Sequence, residues 1–180
     1  MVNSYHLVNP HIEGNFKSKV KAMNSHEAAN IFYKNLSEHF NNSVPSFHFT
    51  IQKGSSGNGK YYHFKVKENR KANQVSFTVK PMEIRGVDMD SFRSKLDTFK
   101  HKLAQGGGKK GKESKKHAKD DDSDWDDSSE EFYSRAKSYV PVTQPIYYWW
   151  YDPSLYRLDS IFIPTFYSYV TPYIELSLRV

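Results

Sequence analysis

An α+β fold is predicted for this chain of 180 residues: an antiparallel sheet with two helices on one face, ferredoxin-like in outline, followed by a C-terminal aromatic-rich β segment. Three observations predict it. Stretches at 16–22, 47–52, 61–67 and 75–80 alternate apolar and polar residues, the period of a half-buried strand. Two other stretches carry apolar residues at three- and four-residue spacing, the period of a one-sided helix. Prolines 141, 145, 153, 164 and 172 then recur among aromatic residues, which forbids long helices and favours short strands and turns.

Taken in order, Tyr5–Val8 is an optional first strand. In 16–22, Phe16, Val20 and Ala22 face one way and Lys17, Lys19 and Lys21 the other. Asn24 followed by Glu27 is a helix start, the Asn oxygen capping a free amide while the Glu reaches back. Ala28, Phe32, Leu36 and Phe40 form the apolar face of that helix, which ends near Asn41–Asn42. Phe47, Phe49 and Ile51, then Tyr62, Phe64 and Val66, then Val75, Phe77 and Val79 mark three further strands. Their connections are turn-like, GSSGNG at 54–59 and ENRKANQ at 68–74. Met89, Phe92, Leu96, Phe99 and Leu103 stripe a last helix, started by Asp88 or Asp90 and stopped at the glycines from 106.

Composition divides the chain in three. Residues 1–105 hold 16 Lys/Arg and 8 Asp/Glu, a basic α+β domain. Residues 106–131 run from KKGKESKKHAK to DDDSDWDDSSEE, a charged linker with no means of building a core, expected to be disordered. Ser123 and Ser128 each precede an acid by three residues, a pattern suited to an acid-directed kinase. Residues 132–180 hold 14 of the 28 aromatics. Strands are expected near 146–151, 156–163 and 173–179, with a turn at Asp152-Pro153-Ser154. So small a β segment needs to dock on the first domain or on a partner.

Function is less legible than fold. The absence of cysteine excludes disulfides, thiolate metal sites and cysteine nucleophiles. The eight histidines show no metal-ligand spacing. Gly54 and Gly59-Lys60 imitate a phosphate loop, but Tyr61 stands where Ser or Thr is required and a strand follows, so a hairpin loop is expected. No catalytic residues, metal site or cofactor are assigned, and the expectation is a non-enzymatic protein. The N-terminus lacks the pattern of a signal peptide, and no apolar run approaches the roughly 20 residues of a membrane span.

Two surfaces are candidates. The rings Tyr147, Tyr148, Trp149, Trp150, Tyr151, Phe166 and Tyr167 read as a structural core or as an assembly interface with a protein partner or a second copy. A ligand platform and a peripheral membrane contact are lesser alternatives. The polar sheet face, with Lys19, Lys21, His48, Thr50, Tyr61, His63, Lys65, Lys67 and Lys80, suits a polyanion such as single-stranded nucleic acid. It reads equally as a solvated face or as one buried under another element.

The phrases NSYHLVNPHIEGNFKSKVKA, SFHFTIQKG with YYHFKVKE, and PIYYWWYDPSLYRLDSIFIPTF with PYIEL resemble uncharacterised proteins of giant viruses of the nucleocytoplasmic large DNA group. The resemblance implies expression in host cytoplasm and packaging in the virion as a minor component. It carries over no catalytic residues.

Overall fold

The computed structural model describes residues 2–54, 59–71, 74–84, 86–106, 133–136, 146–166 and 172–178. The chain divides into two compact units, 1–84 with 130–180, and 85–129.

The first unit is built on a six-stranded sheet. In chain order its strands are β1 (Asn3–Asn9), β3 (Lys19–Ala22), β4 (Ser46–Lys53), β5 (Tyr61–Lys71), β6 (Gln74–Met82) and β7 (Tyr133–Ala136). Spatially they run β3-β1-β4-β5-β6-β7, and every pairing is antiparallel. The ferredoxin-like outline does not emerge. It requires two crossovers, each joining through a helix a pair of strands that flank a third, whereas β4, β5 and β6 here form a simple meander.

Helix α1 (Ser25–His39) lies on one sheet face. It starts where the sequence predicts: Asn24 Oδ1 accepts the Glu27 amide at 2.7 Å, and Glu27 Oε2 accepts the Met23 amide at 2.8 Å. Its buried face carries Ala28, Ala29, Phe32, Tyr33 and Leu36. Tyr33 sits among Phe47, Phe49 and Phe77, at centroid distances of 6.1, 6.4 and 4.9 Å. Its hydroxyl donates to the buried Glu68 carboxylate at 2.5 Å. These contacts follow from alternation, since Phe47, Phe49 and Phe77 all point to the same side of the pleat.

A cis peptide at Asn9-Pro10 links β1 to β2 (His11–Gly14), which belongs to a second sheet. There β2 pairs antiparallel with β8 (Ile146–Tyr151), and β8 pairs parallel with β9 (Tyr173–Leu176). After β8 comes a 3-10 turn, Pro153–Tyr156, and the strand expected at 156–163 is not formed. Asp152 caps that turn through the Ser154 amide, Pro153 opens it, and Arg157 ends it in the left-handed region at φ 48°. An acid cap followed by proline is a helix start rather than a lead into a strand.

β4 and β5 pair as an antiparallel hairpin, with Gly54 at φ +95° and the Lys53 amide donating to the Lys60 carbonyl; of the loop expected at 54–59, residues 55–58 lie outside the described residues. The second unit contains α2 (Val87–Gly106), where Phe92, Leu96 and Phe99 are buried. The charged linker from residue 107 onward lies outside the described residues, as does Trp125. Among the described residues no helix is long and apolar enough to cross a membrane.

Candidate functional site

Strand register assigns the polar face. Ser46 pairs with Lys67, His48 with Lys65, Thr50 with His63 and Gln52 with Tyr61. Lys65 pairs in turn with Lys80, and Lys67 with Thr78. On the other side, Asn9 pairs with Thr50, His6 with Gln52 and Lys19, and Ser4 with Lys21. All seven residues expected to bind a polyanion therefore lie on one face, opposite α1, and no described strand residue on that face is acidic.

That face is not an open platform. Lys19, Lys21, Lys67 and Lys80 are exposed and Tyr61 and Lys65 half-buried, but His48, Thr50 and His63 are buried. The turn at 152–156 covers them. Tyr156 stands over His48 at 5.4 Å between rings, and the Tyr151 hydroxyl donates to the His48 carbonyl at 2.9 Å. The lysines are thus divided into a β3 pair and a β5–β6 group. His63 is removed from the solvent-facing set assigned to it by the sequence, because alternation identifies a face without revealing what lies over it.

Under the cover runs a chain of hydrogen bonds. The Asp152 amide donates to Asn9 Oδ1 at 3.0 Å, which fixes the orientation of the Asn9 side-chain amide. Asn9 Nδ2 then donates to the Asp152 carbonyl and to the Tyr156 hydroxyl, each at 3.0 Å. Tyr156 and Thr50 hydroxyls lie 2.7 Å apart, and Thr50 Oγ1 lies 2.8 Å from His63 Nδ1. Burial lowers the His63 pKa to about 4, and burial with the nearby Lys65 charge does the same for His48. Both rings are neutral at physiological pH. Burial raises the Tyr151 and Tyr156 pKa values well above the ordinary phenol range.

The expected aromatic interface is turned inward over most of its length. Trp149, Trp150 and Tyr151 are 0, 1 and 3% exposed. Trp149 meets Phe40 at 6.0 Å, Phe47 at 6.2 Å and Phe166 at 5.0 Å, and Tyr151 stacks on Phe47 at 5.6 Å. These rings are core, which corrects their assignment to an assembly surface. Phe40 and Phe47 need a cover beyond the edge of α1, and β8 supplies it. Phe166 is half-buried beside them, bridged to Phe40. Tyr147 is exposed, Tyr148 is half-buried against Tyr173 and donates to Glu175 at 2.5 Å, and Tyr167 lies outside the described residues.

Three consecutive apolar residues, Ile161, Phe162 and Ile163, do face solvent. The backbone just after them is pinned. Asn42 Nδ2 donates to the Ile163 carbonyl at 3.1 Å, the Thr165 amide donates to Asn42 Oδ1 at 2.8 Å, and the Asn41 amide donates to the Thr165 carbonyl at 2.8 Å. Neither this segment nor Asn9 and Tyr156 was assigned to a site from the sequence, where 156–163 read as a strand. Only the acid-proline start at 152–153 signalled that something other than a strand follows β8.

The family follows from one relative that runs almost the full length of the chain. An uncharacterised protein of Acanthamoeba polyphaga mimivirus is 31% identical over 183 residues, covering 97% of this chain and 94% of the relative. The chain belongs to that giant-virus family. No protein-family model and no solved structure matches the viral protein. Among its described residues, no group of three or more His, Asp or Glu side chains is placed to hold a metal ion.

Proposed function

We propose that this viral protein is a non-enzymatic binding component, acting in the host cytoplasm or the virion, that grips a polyanion on the β5–β6 side of its sheet. Single-stranded nucleic acid is the foremost ligand class. One observation carries the reading: Lys65 and Lys80 form a cross-strand pair with Lys67 beside it, flanked by Ser46 and Thr78 and by no acidic residue among the described strand residues of that face. Lysines and hydroxyls on strands that present no acid to that face suit phosphate oxygens, and the half-buried Tyr61 lies on the same face. Anisotropy of a labelled oligodeoxythymidylate over a salt series tests it. Affinity is expected to fall steeply with salt. Replacing Lys65, Lys67 and Lys80 together by Ala is expected to flatten the salt slope by about one for each phosphate no longer neutralised. No binding at low salt, or an unchanged slope in the triple variant, overturns it.

A protein-contact role is the second reading, favoured by Ile161, Phe162 and Ile163 exposed beside a hydrogen-bonded backbone. Apolar side chains on a segment already ordered lose little entropy on binding. The partner assigned to them is a second copy of the chain. Light scattering tests it: Phe162→Asp is expected to convert a self-associated protein to monomer, and a wild-type monomer at all concentrations sinks the idea.

A further inference from the structure

We propose that the Asn9–Tyr156–Thr50–His63 chain is a proton-operated latch: a proton on His63 releases the turn at 152–156 from the sheet and opens the covered middle of the face to a polyanion. The proposal takes its ligand from the reading above, but the movement stands independently of it.

The direction of the hydrogen bonds carries the argument. A backbone amide only donates, so the atom of Asn9 facing the Asp152 amide is oxygen, and the other atom is the NH2 group. Its two hydrogens go to the Asp152 carbonyl and the Tyr156 oxygen. Tyr156 therefore sends its own hydrogen to Thr50, and Thr50 sends its hydrogen to His63 Nδ1. The chain has one polarity, and it ends on the lone pair of a neutral imidazole.

A proton at Nδ1 removes that lone pair. His63 then donates to Thr50, and Thr50 turns its hydrogen toward Tyr156. The Tyr156 oxygen would receive two donors while its own hydrogen, buried, lost its acceptor. A buried donor without a partner is a costly arrangement, and moving the turn outward into water relieves it. Burial acts in the same direction, because it disfavours the charged ring. The groups facing His48 and His63 are Thr50 on β4, Lys65 on β5, Lys80 across from it on β6, and Tyr151, Asp152 and Tyr156 on the covering segment. Asp152 is the one carboxylate among them, and its side chain is already bonded to the Ser154 amide and hydroxyl.

Titration sets the pH range. A histidine at about 4 when covered and 6.5 when free favours the open form about 30-fold more at pH 5 than at pH 7.5. Opening brings His48, Thr50 and His63 into one surface with Lys19 and Lys21 on one side and Lys65, Lys67 and Lys80 on the other. Two imidazolium charges join them.

The test uses the full chain and two readouts. The first is hydrogen exchange at residues 152–158, corrected for the intrinsic effect of pH, at about pH 7.5 and pH 5. The second is binding of an oligodeoxythymidylate at the same two pH values. Wild type is expected to gain tenfold or more in exchange and in affinity on acidification. His63→Gln, which retains an acceptor for Thr50 but does not titrate, is expected to lose the His63 share of both gains and keep only what His48 contributes. Tyr156→Phe breaks the chain by another route and is expected to exchange and bind at neutral pH as wild type does in acid. Equal exchange at the two pH values, or the same acid response in His63→Gln, overturns the latch. Acid-induced exchange without binding at any pH leaves the latch standing and removes the polyanion reading instead.

Discussion

At the scale of single residues, Tyr156 ties the covering turn to the sheet. It joins Asn9 on β1, Thr50 on β4 and the ring of His48 through one phenol. Tyr156→Phe keeps the ring and deletes the hydroxyl, leaving an Asn9 hydrogen and a Thr50 lone pair buried. A loss of about 1–3 kcal/mol is expected in urea unfolding at neutral pH. The histidines add a pH dependence with a definite sign. His63 titrates at about 4 in the folded chain and at 6.5 when unfolded. Between those values the unfolded state binds the extra proton, so stability is complete above pH 6.5 and falls as pH drops toward 4. The loss attributable to His63 is at most about 3 kcal/mol. Thermal melts from pH 7.5 to 4.5 are expected to show a falling midpoint in wild type and a shallower fall in His63→Gln. Gly59 is a third point of sensitivity, because a Cβ there would lie 1.6 Å from the Lys53 carbonyl oxygen. Gly59→Ala is expected to cost on the order of 2 kcal/mol or more through displacement of the hairpin backbone, measured by the same unfolding titration.

At the scale of elements, Trp149 is expected to behave as a core residue. Trp149→Ala removes a fully buried ring that touches Phe40, Phe47 and Phe166, and should cost about 3–5 kcal/mol. Calorimetry distinguishes that outcome from an interface role, which would leave the melting of an isolated monomer nearly unchanged. What was legible in the sequence follows the same division. The helix over 25–39 declared itself through its cap and apolar spacing, and β4, β5 and β6 through alternation over 47–52, 61–67 and 75–80. β2 and β7 have four residues each, too few to display a period. Asp152-Pro153-Ser154 announced the turn, but the stretch at 156–163 was assigned to a strand that does not form. Aromatic density identified where burial or contact would be concentrated in the C-terminal region, but not which. That depended on an uncovered pair, Phe40 and Phe47, on another part of the chain.

At the scale of the whole molecule, the candidate polyanion surface is spread over strands that are far apart in sequence, and its middle is closed by residues 152–156. Lysines alone could be read from the alternation, because their face is fixed by the strand period. The cover could not, because it depends on a contact between Asn9 and Asp152 across 143 residues. That separation governs more than binding. The second sheet joins residues 11–14 to residues 146–151 and 173–176, so β2 has no strand to pair with until β8 has been made. Contacts of such long range are slow to form, since loop closure must precede any gain from them. On a ribosome, the sheet with α1 would be assembled through β6 while Phe40 and Phe47 still faced water. The order of synthesis thus leaves the newborn chain stickiest just before β8 emerges, and the arrival of Trp149 and Tyr151 is the step that ends its need for protection.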